Sequence, residues 1–228
     1  MSAAPGRPKP ARTAAKHEGL PMNKLITRLE DLRALYGPAR ERSVLKELPQ
    51  LDAHATRFIG LSPLVVLASG GPGGDLDASP RGGDPGFVKA VDAGTLLIPD
   101  APGNNRLDTL ENIVQTGAIG LLFLLPGVDE TLRVNGRAVL STDLAERERC
   151  ADARRAPALV IRVTVQASYL HCARALMRSA LWDASRQVER SIMPSMGEML
   201  RDQIGHRMSP DTVFENQVQA LERYRQTL

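Results

Sequence analysis

From Leu64 to Val165 the apolar residues fall in runs of strand length, cut by turns rich in Gly and Pro, with no regular β-α-β rhythm between them. Such a chain reads as mainly β with peripheral helices, built from hairpins. Leu64–Ala68 and Leu76–Ser79 flank the turn Ser69-Gly70-Gly71-Pro72-Gly73-Gly74-Asp75 and predict an antiparallel pair. Phe87–Val91 and Thr95–Ile98, turned at Asp92-Ala93-Gly94, predict a second. Gly120–Leu125 is apolar on both faces, as a central strand requires, and Pro126-Gly127 ends it. In the strand over 132–140, Leu132, Val134, Ala138 and Leu140 share one face, while Arg133, Asn135 and Arg137 share the other. Leu159, Ile161, Val163 and Val165 alternate as a last strand, after a polar, mobile loop from Ser141 to Pro157.

Helices frame this region. Leu25, Leu29, Leu32 and Leu35 follow Met22 at helical spacing until Gly37-Pro38, and a shorter helix is expected within 41–48. Leu107, Leu110, Ile113 and Val114 predict a helix after Pro99 and Pro102 have stopped the preceding ladder. Leu170, Ala173, Met177 and Leu181 trace a helical stripe carrying His171 and Cys172. Ser195 and Glu198 form a capping-box pattern, and Phe214, Val218 and Leu221 mark a terminal helix.

The 228 residues suffice for one full core, read here as a single domain over 22–228 behind a disordered, basic tail over 1–21. The formal charge is +3, but residues 1–16 of that tail hold Arg7, Lys9, Arg12 and Lys16 and no acid, leaving a net −1 for residues 17–228. The basic balance therefore gives no ground for a nucleic-acid partner. Two cysteines outside any C-x-x-C, no signal-peptide core and no apolar run of spanning length predict a cytoplasmic chain away from membranes. His17, His54, His171 and His206 make no ligand spacing, so no metal is expected.

Three polar clusters sit between the strands: 77–83 with Arg81, 99–106 with Arg106, and 131–137 with Arg133 and Arg137. Each joins a cation to small residues or amides, the chemistry that holds a phosphate-bearing ligand. Asn104, Asn105 and Arg106 are expected to open the helix that follows, where unpaired amides and the positive dipole end favour an anion; a helix start that is merely well capped is the alternative. Arg133 and Arg137 suit a solvated outer face equally well.

The succession Ser79-Pro80-Arg81-Gly82, Ile98-Pro99-Asp100, Asn104-Asn105-Arg106-Leu107-Asp108 and Glu130-Thr131-Leu132-Arg133-Val134-Asn135-Gly136-Arg137, then His171-Cys172 and Ser195–Gln203, resembles the FMN-binding split-barrel proteins related to pyridoxamine 5'-phosphate oxidase. The resemblance implies an antiparallel FMN-binding split β-barrel of about six strands, a homodimer with flavin at the interface, and an FMN-dependent oxidoreductase acting on an unidentified small molecule. It implies phosphate contacts from Asn104, Asn105, Arg106 and Arg81, and further cofactor contacts from Ser79, Pro80, Ile98, Pro99, Leu107 and Arg133. Trp182 is implied as an aromatic closing over the flavin of the second subunit, with a core or interface role as the alternative. In the relatives an Arg-Lys pair grips the phosphate, whereas Asn105 and Arg106 stand at those positions here. The R-x-H-x-R substrate element of the oxidases is also missing around Arg178–Asp183, which speaks against pyridoxamine phosphate as substrate. No catalytic residue is assigned. Alternatives to an enzyme are a non-catalytic flavin-binding or buffering protein, or a relative that uses haem or a deazaflavin.

Overall fold

The computed structural model describes residues 25–153 and 155–227, which fall into two compact units divided after Leu45. The tail expected at 1–21 lies outside the described residues. The first unit holds α1 (Leu29–Tyr36) and α2 (Glu41–Leu45). Helix α1 ends where the Gly37 N–H, at φ 70°, bonds the Arg33 carbonyl, a left-handed stop that glycine adopts at little cost. Its apolar side chains Leu29, Leu32 and Tyr36 are exposed.

The second unit is an antiparallel sheet of seven strands, one more than about six, in the order β2-β1-β5-β6-β7-β4-β3. The strands are β1 (Leu64–Gly70), β2 (Leu76–Gly82), β3 (Lys89–Asp92), β4 (Thr95–Pro99), β5 (Ala118–Leu125), β6 (Val128–Ser141) and β7 (Val160–His171). Both expected hairpins form, and β5 is an interior strand. The face assignment in β6 holds: Leu132, Val134 and Ala138 are buried, whereas Arg133 and Arg137 are exposed. One core takes Val65 and Leu67 from β1, Leu96 and Ile98 from β4, Phe123 from β5, Leu132 from β6 and Ile161 from β7. Strands from opposite halves of the order thus share one apolar interior.

Two helices close that interior. Helix α3 (Ala53–Leu61) contributes Ala55, Phe58 and Ile59, and α4 (Asp108–Thr116) contributes Leu110 and Ile113. Sequence reading overlooked α3, although Asp52 caps it by accepting the Ala55 N–H at 2.7 Å.

Two further expectations need correction. The loop expected from Ser141 to Pro157 contains α5 (Leu144–Arg149), opened by Asp143, whose side chain accepts the Glu146 N–H at 3.0 Å. It covers the outer side of β4 and β7, where Leu97, Cys150 and Val160 form a second small core. The stripe expected from Leu170 is not helical at its start. His171 is the last residue of β7, paired with Thr131, because β6 is long enough to extend the ladder, and α6 begins only at Arg174 and ends at Ser179. The Ser195–Glu198 capping box is present in full at the head of α7 (Met196–Ile204), and α8 (Gln217–Thr227) ends the described chain, starting after Phe214. No helix among the described residues is long and apolar enough to cross a membrane.

Candidate functional site

Pairing fixes which way each residue of β2 faces. Asp77, Ser79 and Arg81 lie opposite Ser69, Leu67 and Val65, so they share the face that β1 turns to the core. Because β2 is an edge strand, these three are half-buried rather than enclosed. Asp77 is the hub. Its carboxylate accepts from Ser79 Oγ at 2.9 and 3.1 Å and from Thr109 Oγ1 in the first turn of α4. Further along α4, Asn112 Nδ2 donates to Ser69 Oγ at 3.0 Å and Thr116 Oγ1 donates to the Gly70 carbonyl at 2.9 Å. A polar seam therefore fixes α4 against β1 and β2 and sets where its N-terminus points.

Thr109 is 2% exposed, so this seam is testable by stability. Thr109→Val keeps the shape but removes the hydroxyl from Asp77, and a loss of about 1–3 kcal/mol is expected in urea unfolding. A variant as stable as the parent would show that the bond contributes nothing.

The segment before α4 departs from the expected geometry. The helix starts at Asp108, so Asn104, Asn105 and Arg106 precede it rather than open it. Asn104 Oδ1 accepts the Arg106 N–H at 3.1 Å, an Asx-type turn that engages this side-chain oxygen locally. Asn105 and Leu107 both stand at φ 59°, the left-handed region that costs a non-glycine residue roughly 1–2 kcal/mol. Leu107 is the N-cap of α4, and no side chain caps the first turn. Its leading amides thus keep the anion-attracting character of an open helix start. A merely well-capped helix is excluded.

One guanidinium group, Arg106, stands beside this opening, and a second, Arg81, lies on the Asp77 face of β2. Arg106 is 77% exposed at its side chain and pairs through Nε with Asp108 Oδ2; that bond, with a lesser pull from Asp77, holds its pKa above the usual arginine value. Arg81 is half-buried and donates to the Pro80 carbonyl at 3.0 Å. Its charge also reaches Asp100, whose carboxyl is pushed above the usual range by burial and pulled back by Arg81 and the Ala101 amide. Ser79 and Arg81 thereby share the face of β2 that meets α4 through Asp77, while Arg106 and the leading amides stand at the head of α4. Cations and free N–H groups together suit an oxyanion.

The family model for pyridoxamine 5'-phosphate oxidase matches residues 51–172, more than half of the chain. The chain belongs to the pyridoxamine 5'-phosphate oxidase family. No curated protein matches it. Among solved structures, HupZ of Group A Streptococcus is 17% identical with a TM-score of 0.45, over 53% of this chain and 98% or 93% of the two HupZ chains compared. An FMN-binding protein from Syntrophomonas wolfei is 9% identical with a TM-score of 0.41, over 63% of this chain and 97% of that one.

Other residues expected at the cofactor of this family member are placed apart. Ile98 is fully buried in the core, so its side chain is out of a ligand's reach. Pro99 is half-buried and pairs with Val160 at the end of β4. Pro80 turns to the outer face of β2. Through the pairs Val66–Pro80, Val66–Leu122 and Leu122–Arg133, that outer face is also the one bearing Arg133. Within one chain Arg133 and Arg81 therefore lie on opposite faces of the sheet. Arg133 Nη1 instead donates to Tyr169 Oη at 3.2 Å. Trp182 is half-buried and donates through Nε1 to the Val128 carbonyl at 3.0 Å, which anchors it to the start of β6 in its own chain. Sequence reasoning missed Asp77 and Thr109 as site residues. A signal for Asp77 exists, since it shares the strand face of Ser79 and Arg81 at a period of two.

Proposed function

We propose that the chain binds FMN as an FMN-dependent oxidoreductase of its family, with the flavin phosphate at the uncapped start of α4 between Arg106 and Arg81. The observation that carries this reading is the open first turn of α4, held in place by the Asp77 seam, with the Arg106 guanidinium beside it and Arg81 on the same face of β2 as Asp77. The residues fit a phosphate ester: the leading amides offer hydrogen bonds, Ser79 Oγ would add one on turning away from Asp77, and Arg106 would exchange the Asp108 carboxylate for the phosphate oxygens. When bound, the flavin ring supplies the redox chemistry, while this chain orients it and keeps its phosphate fixed. The substrate is a small molecule, and its setting is the cytoplasm, which suits the unpaired Cys150 and Cys172.

The same reading makes the sheet a split barrel and the protein a homodimer. A core shared by β1 and β4 from opposite halves of the strand order supports the barrel. Val66, Ala68, Gly120 and Leu122 on the outer face of β1 and β5, small or apolar and only partly covered, support the dimer. A dimer at micromolar concentration is expected in sedimentation; a monomer that still binds FMN fully would remove that part. The function itself is tested by the absorption spectrum of the purified protein supplied with FMN. Flavin bands perturbed on binding and bleached by NAD(P)H or a substrate are expected. A protein that takes up haem and leaves FMN free would overturn the reading.

A further inference from the structure

On the face opposite the phosphate cluster, one aromatic ring is surrounded by basic groups. Tyr169 of β7 pairs across the ladder with Arg133 of β6, whose guanidinium carbon lies 5.8 Å from the ring centroid. Lys46 Nζ lies 5.3 Å from the same centroid and also donates to the Leu170 carbonyl. Two residues on along β7, and so on the same face, His171 places its ring 5.2 Å from Tyr169 at a tilt of 52°. Its Nε2 is buried and has no hydrogen-bond partner, the kind of buried polar atom that calls for an explanation. Burial first, then Arg133 and Lys46, holds its pKa below the ordinary histidine value.

The cluster is also unbalanced in charge. None of the ion pairs among the described residues involves Lys46, Arg133 or His171. The cations of the opposite face differ in this respect, since Arg106 has Asp108 and Arg81 has Asp100 within reach. Two cations held about one ring, with no carboxylate between them, repel one another and gain from any anion that bridges them. The ladder fixes the spacing of Arg133 and Tyr169, and the carbonyl of Leu170 steadies Lys46. A ligand there finds the donors already arranged, which lowers the ordering cost of binding.

We propose that Lys46, Arg133, Tyr169 and His171 form a second binding site, for the oxyanion group of a small molecule, either a phosphate monoester or a carboxylate. The two cations contact the oxyanion, Tyr169 supports Arg133, and His171 lines the floor. The site is separate from the flavin-phosphate cluster and does not depend on that reading, because the strand pairings put it on the other face.

The test follows the carbon-bound ring protons of His171 by ¹³C–¹H correlation NMR on the full chain at neutral pH. Inorganic phosphate and acetate are titrated separately at constant ionic strength held with sodium chloride. His54 in α3 and His206 after α7 report non-specific effects in the same spectra. A saturable shift confined to His171 is expected with at least one probe; phosphate alone marks a phosphate-ester site and acetate a carboxylate site. Lys46→Gln and Arg133→Gln are each expected to weaken binding about tenfold, the value of one charged hydrogen bond. Shifts that grow linearly and equally at His54, His171 and His206 would overturn the site. So would saturable binding that neither substitution changes.

Discussion

Replacing Arg106 with alanine is expected to weaken FMN binding about tenfold to a hundredfold while leaving riboflavin binding nearly unchanged. The guanidinium stands two residues before α4, beside amides that no side chain caps, so its charge and theirs act on the same phosphate. Riboflavin lacks the phosphate and has nothing to lose there. Because Arg106 is largely exposed and its ion pair with Asp108 is a surface one, the substitution should leave the melting temperature close to that of the parent. Titrating both ligands against both proteins separates the effects. Equal losses for FMN and riboflavin would indicate a disturbed fold, and an unchanged FMN affinity would move the phosphate to Arg81.

The second large effect is expected at Gly136, where β6 and β7 shift register. A Cβ at this position would overlap the Thr164 carbonyl oxygen of the neighbouring strand. Both groups belong to backbones locked in the longest pairing of the sheet, so neither can yield without breaking the ladder. Gly136→Ala is expected to cost about 3–5 kcal/mol, either lowering the Tm by roughly 10 °C or more or leaving a chain that does not fold. Gly60→Ala is the control. Gly60 lies in α3 with open space where a methyl group would stand, and alanine favours a helix, so the Tm should hold or rise slightly. A Gly136→Ala protein melting with the parent would mean that the two strands do not approach as described.

Local signals explain what was legible in advance. The alternation of Leu132, Val134 and Ala138 with Arg133 and Arg137 needed only the period of a strand, and Ser195 with Glu198 needed only the reach of two side chains within one turn. His171 was misread because Leu170, Ala173, Met177 and Leu181 have helical spacing, while the decisive fact is that β6 extends far enough to pair with it. The start of α4, expected at Asn104–Arg106 and found at Asp108, was misplaced for a similar reason. An Asx turn at Asn104 and left-handed backbone at Asn105 and Leu107 compete with helix there, and the Asp77–Thr109 bond that fixes the true start joins residues far apart in sequence.

The separation of Arg81 from Arg133 was beyond any local reading. Each residue alternates within its own strand, but whether the two share a face depends on three successive registers, β2 with β1, β1 with β5 and β5 with β6. A slip of one residue in any of them would reverse the answer. For this reason the resemblance grouped residues that one chain keeps on opposite sides, and Lys46 and Tyr169 escaped notice as neighbours of Arg133.

A crystal structure of the protein with FMN bound tests the central claim most directly. The account predicts the phosphate oxygens within about 2.7–3.2 Å of the Arg106 guanidinium and the first amides of α4, with Asp108 released from Arg106. A phosphate seated instead on the opposite face, beside Arg133 and Lys46, would contradict it.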